Sequence, residues 1–252
     1  GSEKAIEQLI PLLKDSDSSV RSFAAEALGK IGSEKAIEQL IPLLKDSDSS
    51  VRSFAAEALG KIGSEKAIEQ LIPLLKDSDP NVRRNAAYAL GEIGSETVIE
   101  QLIPLLKDSD KFVRRDAAEA LGKIGSEKAI EGLIPLLKDS DSSVRKEAAY
   151  ALGQIGSEKA IEGLIPLLKE PFSYSNAAKY LGEIGSENTI IELTKKLQND
   201  SFVKRGLSEI IKTIQTIQQR LQYYKPIPKI PMSKPLSHNY ALLIGVGDCK
   251  YP

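Results

Sequence analysis

The chain has 252 residues, with 34 Lys and Arg against 35 Asp and Glu, a formal net charge of -1, 41% hydrophobic residues, 5% aromatic residues and no Trp. A near-neutral chain exerts no long-range pull on a polyanion, which argues against a nucleic-acid partner. One cysteine, Cys249, and one histidine, His238, rule out an internal disulfide framework, a Cys-based zinc site and His-rich metal catalysis. No apolar run approaches the ~18 residues that span a bilayer, and no signal peptide is visible. The expectation is a cytoplasmic protein without cofactor, metal or membrane contact. The chain starts at Gly1 rather than Met and stops at Pro252 straight after a strand-like run, so it is expected to be a piece of a longer protein.

Self-comparison decides the architecture. Gly-Ser-Glu opens a unit at Gly1, Gly32, Gly63, Gly94, Gly125, Gly156 and Gly185. The first five units are 31 residues long, the sixth 29, and the seventh, 185–214, is 30. The first two are identical, and the identity runs on through Asp79.

Each unit reads as two helices. In the first unit Ser2 is the expected N-cap of a helix running to about Lys14, with Ile6, Leu9, Ile10 and Leu13 on one face. Pro11 and its equivalents Pro42, Pro73, Pro104, Pro135 and Pro166 fall inside this helix. Their recurrence at one offset predicts a built-in kink that packing tolerates. Asp15-Ser16-Asp17 is a polar turn, and Asp17 caps a second helix with Val20, Ala24, Ala27, Leu28 and Ile31 on one face. Gly32 ends it at C′. Gly29 and its equivalents are expected where neighbouring helices approach closely. A single hairpin has too small a core to offset its ordering entropy, so the units are expected to stack into a one-dimensional array.

Asp17-Ser-Ser-Val-Arg21, followed by Ala24-Ala-Glu-Ala-Leu-Gly29-Lys-Ile31-Gly, resembles the HEAT-repeat family in its short, phycobilisome-lyase-type form. The resemblance covers about residues 1–214. It implies an all-α fold, an α-solenoid of seven helical hairpins in a right-handed superhelix. It also implies an Asp–Arg ladder through Asp17, Asp48, Asp79, Asp110 and Asp141 with Arg21, Arg52, Arg83, Arg114 and Arg145. Taken alone, each Asp reads as a cap and each Arg as its local partner four residues on. The sixth unit has Tyr174 and the seventh Lys204 at the Arg position.

The units differ at a few offsets of the second helix. These are the positions of Ser22 (Ser53, Arg84, Arg115, Lys146), Phe23 (Phe54, Asn85, Asp116, Glu147), Glu26 (Glu57, Tyr88, Glu119, Tyr150) and Lys30 (Lys61, Glu92, Lys123, Gln154). Helical spacing puts them on one face, opposite the Val20/Ala24/Leu28 stripe. In the family resembled, the second helix lines the concave side. The candidate protein-binding patch is Arg84, Tyr88, Arg115, Glu119, Lys146 and Tyr150, with Phe23 and Phe54 as exposed apolar extensions. Tyr and Arg are favoured contact residues. The mixed charge fits a protein or peptide partner; a solvated, drifting face is the plain alternative.

Residues 215–224 continue helix-like as a cap. Residues 225–238 hold four prolines in Lys225-Pro-Ile-Pro-Lys-Ile-Pro-Met-Ser-Lys-Pro-Leu236, which predicts an extended linker. Tyr240-Ala-Leu-Leu-Ile-Gly-Val-Gly-Asp248 reads as one isolated β-strand stub entering a loop. That run, with Tyr251-Pro252 behind it, resembles the opening strand of caspase-like (metacaspase-type, peptidase C14) cysteine peptidases, so 239–252 is read as the start of such a domain. The resemblance implies a His/Cys dyad further along. Neither His238 nor Cys249 matches its positions, so no catalytic residue is assigned. Gly245-Val-Gly-Asp248 lacks the full G-x-G-x-x-G of a nucleotide site.

The leading expectation is a protein–protein interaction scaffold, the recognition arm of a caspase-like peptidase. The alternative is a bilin-lyase-like subunit. A HEAT-type deoxyhypusine hydroxylase would need His-Glu metal pairs, and the array has no His.

Overall fold

The computed structural model describes residues 2–165 and, beyond them, 177, 178, 181, 182, 185, 189–191, 193, 210–219 and 221. The described residues are helical, with turns between, and no strand occurs among them. The linker 225–238 and the strand expected within 239–252 lie outside them.

The hairpins follow in chain order. They are α1 (Ser2–Leu9) with α2 (Ser18–Ile31), α3 (Ile37–Leu40) with α4 (Ser49–Ile62), and α5 (Ile68–Leu71) with α6 (Pro80–Ile93). Then come α7 (Ile99–Leu102) with α8 (Lys111–Ile124), α9 (Ile130–Leu133) with α10 (Ser142–Ile155), and α11 (Glu158–Leu164), which opens the sixth unit.

The first helix of a unit is not one kinked α-helix. In the second unit it is a 3-10 turn (Glu34–Ala36), the short α3, and a 3-10 segment (Ile41–Lys45) with Pro42 in its first turn. The pattern repeats in the next three units. Pro42 has no N–H for the carbonyl four residues back, and its ring crowds that carbonyl. The backbone answers by tightening to i→i+3 bonds rather than bending. The turn ends where the Asp46 N–H donates to the Leu43 carbonyl at 3.1 Å.

Second helices are regular and 14 residues long. Asp48 Oδ1 accepts the N–H of Ser50 at 2.8 Å and of Val51 at 3.3 Å, closing the N-terminus of α4. Gly63 ends it at φ +75°, a conformation that costs a side chain about 1–2 kcal/mol.

The chain forms two compact units, Gly1–Ala151 and Leu152–Pro252. In the first, α2, α4, α6 and α8 pack side by side. Leu40, Leu71, Leu102 and Leu133 of the first helices, and Leu59, Leu90 and Leu121 of the second, are fully buried. The close approach expected at glycine is present. A Cβ on Gly29, Gly60 or Gly91 would lie 2.5–2.7 Å from the Cα of Ala58, Ala89 or Ala120. In the second unit, Ile210, Ile214 and Ile217 are buried along the helical residues 210–219, and Thr213 Oγ1 donates to the Ala178 carbonyl at 3.5 Å.

Candidate protein-binding surface

Hairpins joined at a fixed 31-residue step bring equivalent residues of successive units side by side. The first consequence is the Asp–Arg ladder, which is real but wired differently from the expectation. Arg52 does not pair with Asp48. Its Nε donates to Asp77 Oδ2 at 2.8 Å and its Nη2 to Asp77 Oδ1 at 2.9 Å, 25 residues further along. Its Nη1 binds the carbonyls of Asp46 at 2.9 Å and Ser47 at 3.2 Å. Arg21–Asp46, Arg83–Asp108 and Arg114–Asp139 repeat the fork. Asp17, Asp48, Asp79, Asp110 and Asp141 serve as caps. The two aspartates of the turn divide the work: Asp48 caps its own helix, and Asp46 accepts the fork together with the Asp48 N–H. The arginine hydrogen bonds hold Asp46, Asp77 and Asp139 below the usual carboxylate range. The ladder is structural cement inside the array.

The second consequence is the surface carried by α6, α8 and α10. Within the second helices of units two to five, every invariant Val, Ala, Leu and Gly is buried. Of the positions that vary, only Ser53 is buried. Within these helices the divergence thus falls, Ser53 apart, on positions the stack leaves at least partly open, whereas in the first helices Val98 stands at a buried position where units two, three and five carry Ala. The offset of Ser22 and Ser53 departs from the expected open face: both are buried, and Asn85 Nδ2 of the next helix donates to Ser53 Oγ at 2.8 Å. This offset faces the neighbouring helix, so only long side chains reach out from it. Phe23 is 65% exposed as expected, but Phe54 is half-buried rather than exposed.

Arg84 and Arg115 come from that offset and meet on one carboxylate. Arg84 Nε donates to Asp116 Oδ2 at 2.8 Å, and Arg115 Nε to Asp116 Oδ1 at 2.7 Å. Both guanidinium groups also flank the ring of Phe112, at 5.3 and 5.5 Å from its centroid, and Lys111 Nζ lies 5.1 Å from it. Phe112 is 41% exposed despite these neighbours. A rigid, partly exposed ring ringed by cations is a contact feature of the kind partners use. The expectation missed it. Its signal was an aromatic at the offset where the other units carry Ser19, Ser50, Asn81 and Ser143.

Tyr88 and Glu119 are joined through Lys123, whose Nζ sits 4.9 Å from the Tyr88 centroid, 3.0 Å from Glu119 and in contact with Glu92. Burial disfavours the ammonium, but the hydrogen bonds to Glu92 and Glu119 outweigh it and raise its pKa. Lys146 and Tyr150 on α10 are the most exposed of the six expected residues. Between them, Glu147 is half-buried, and burial, with Glu119 and Asp116 nearby, pushes its carboxyl up. Beside Lys111, an open depression is lined by Ser109, Asp110, Arg114, Ser140 and Asp141, and Lys111 Nζ donates to Asp141 Oδ2 at 2.9 Å.

The surface therefore offers aromatic rings set among charged groups. Among the described residues no cluster of three metal-ligating side chains occurs, and no helix is long and apolar enough to cross a membrane.

The family described as HEAT repeats matches residues 1–49, 37–121, 68–141, 99–175 and 133–210. Among solved structures, the complex of CpcE and CpcF of phycocyanin lyase from Nostoc sp. PCC7120 is 26% identical, with a TM-score of 0.57 over 96% of this chain and 92% of that one. YibA of E. coli is 26% identical, with a TM-score of 0.62 over 87% of this chain and 83% of that one. An engineered protein is 30% identical, with a TM-score of 0.52 over 85% of this chain and 71% of that one. A search of curated proteins gave no match.

Proposed function

The chain belongs to the HEAT-repeat family, and from that premise we propose that it is a protein-binding scaffold of the cytoplasm whose second helices display a protein or peptide site on their concave face. Arg84, Tyr88, Arg115, Glu119, Lys146 and Tyr150 form the site, with Phe112 added to them. The observation that carries the reading is that, in the second helices of units two to five, the invariant Val, Ala, Leu and Gly are buried while every varying position except Ser53 is at least partly open. Drift alone would also admit conservative exchanges in the core of these helices, such as Leu for Ile or Val, which usually cost under about 1.5 kcal/mol; an exchange at a buried position is seen in the first helices, where Val98 replaces Ala. Isothermal titration against a partner captured with the full chain tests it. Tyr88→Ala with Tyr150→Ala should weaken binding at least about tenfold, equivalent to about 1.4 kcal/mol, and unchanged affinity retires the site.

Likeness to a phycocyanin lyase structure supports a second reading, a subunit of a bilin-attaching assembly. A shift of bilin absorbance on titration with the chain is its expected sign; a flat spectrum disposes of it.

A finer proposal makes the array the arm of a caspase-like peptidase. It rests on Tyr240-Ala-Leu-Leu-Ile-Gly-Val-Gly-Asp248 and the proline-rich tether. A longer reading frame without a His and a Cys at later strand ends overturns it.

A further inference from the structure

Around Phe112 the cations stand above their carboxylates. The side chains of Arg84 and Arg115 are 28% and 32% exposed, while Asp116, which both bind, is 12% exposed. Lys111 is 49% exposed, and its partner Asp141 20%. Further along the helices the balance is even: Lys123 and its partners Glu92 and Glu119 are all 32–35% exposed. Solvent near Phe112 therefore meets the positive half of each ion pair.

The two guanidinium groups share one carboxylate and spend only part of their donors on it. Each Nε donates to Asp116, Arg84 Nη1 reaches Asn81 Oδ1 at 3.4 Å, and Arg115 Nη2 lies 2.6 Å from Asp116 Oδ1. Arg84 Nη2 and Arg115 Nη1 have no acceptor among the described residues, so N–H groups remain for an incoming anion. The feature is confined to part of the array. This offset is Ser22 and Ser53 in the first two units and becomes Arg84, Arg115 and Lys146 in the next three. Lys111 likewise stands where units one, two and five have Ser18, Ser49 and Ser142. Lys146 carries the row onto α10, beside Glu147.

We propose that this patch binds an acidic, extended peptide segment of a partner protein, whose carboxylates meet Arg84, Arg115, Lys111 and Lys146 while an apolar side chain covers the exposed Phe112 ring. The inference rests on the protein-binding reading above and names the class of segment bound. Helices packed side by side lie about 8–10 Å apart, so the row from α6 to α10 covers about 20 Å, or about six extended residues at about 3.3 Å each. A long polyanion such as nucleic acid is disfavoured from both sides. The adjoining turns carry Asp108, Asp110, Asp139 and Asp141, and Glu92 and Glu119 lie toward the other end of the helices. A short segment with a few carboxylates meets the cations without crossing either acidic border.

Fluorescence anisotropy with the full chain tests it, using fluorescein-labelled heptapeptides of glutamate, glutamine or lysine around a central leucine. The glutamate peptide should bind at least about tenfold tighter than the other two, and added salt should weaken it. Lys111→Ser with Lys146→Ser places the residue of other units at both positions and should weaken it at least about fivefold. Lys45→Ser with Lys76→Ser removes the same charge from exposed positions elsewhere and should change little. Arg84→Ser with Arg115→Ser and Asp116→Asn should abolish binding with the fold kept, because Ser53 and Asn85 already occupy these offsets. Equal binding of the glutamine peptide, tighter binding of the lysine peptide, or no binding of the glutamate peptide overturns the proposal. So does an equal loss in the Lys45 and Lys76 control, full binding by the arginine variant, or a heptathymidylate that binds as tightly as the glutamate peptide. The scaffold reading survives each of these outcomes and falls only with the Tyr88 and Tyr150 titration.

Discussion

Arg52 reaches past the cap of its own helix and forks onto Asp77 in the next hairpin, at 2.8 and 2.9 Å. Both side chains are nearly buried, at 16% and 13% exposure. The fork ties two units that are separate in sequence, and the Nη1 bonds to the carbonyls of Asp46 and Ser47 fix the turn that presents it.

Breaking this fork should be costly in a partner-specific way. Asp77→Asn should destabilise the array by about 2 kcal/mol, the scale of a charge-assisted hydrogen-bond pair. A double-mutant cycle of Arg52→Gln with Asp77→Asn, followed by urea unfolding, should give a coupling of about 1–3 kcal/mol. The same cycle with Asp48→Asn should give a coupling near zero, because Asp48 is occupied as a cap.

The ladder also sets the acid limit. Arginine hydrogen bonds depress Asp46, Asp77 and Asp139. At Asp108, burial opposes ionisation, but the bonds from Arg83 and the Asp110 N–H prevail. A carboxyl depressed on folding contributes stability that is complete above its ordinary pKa and is lost as pH falls through the folded value. Tm should therefore hold to about pH 4 and fall below it, and Asp77→Asn should remove part of that acid loss.

Glu147 has the opposite sign. Burial, then Glu119, raise its pKa. Its ionised form costs stability at neutral pH, and the cost vanishes in acid as both folded and unfolded states take up the proton. Glu147→Gln should raise Tm at pH 7, with the gain shrinking as pH falls, as thermal melts across pH 3–8 would show.

Two glycines three residues apart should fail for different reasons. Gly60→Ala would ordinarily gain about 1 kcal/mol inside a helix. Here its Cβ would meet the Ala89 Cα at 2.5 Å, and overpacking should cost about 1–3 kcal/mol instead. Gly63→Ala has open space but sits at φ +75°, and it should lose about 1–2 kcal/mol to strain. Doubling the step with Gly60→Leu should aggravate the first defect severely, while Gly63→Asn should recover much of the second.

Phe112 and Asp116 should separate binding from stability. Phe112 is 41% exposed, so Phe112→Ala should change Tm little and weaken partner binding. Asp116→Ala removes the carboxylate shared by Arg84 and Arg115. It should lower Tm, and it should also loosen the cation frame around the ring.

Much of this protein could be read without coordinates because its physics is local and repeated. A 31-residue period, glycine at C′, aspartate at the N-cap and an apolar stripe at helical spacing each state a backbone conformation or a buried face, and five repetitions remove the ambiguity of one. What could not be read was everything that depends on the offset between neighbouring hairpins. That offset sends Arg21 to Asp46 rather than Asp17, turns Ser53 inward against Asn85, half-covers Phe54 while leaving Phe23 open, and gathers Arg84, Arg115 and Asp116 around Phe112. Periodicity assigns a residue to a face of its own helix. Only the packing of the next helix decides whether that face meets solvent, a carboxylate or another backbone.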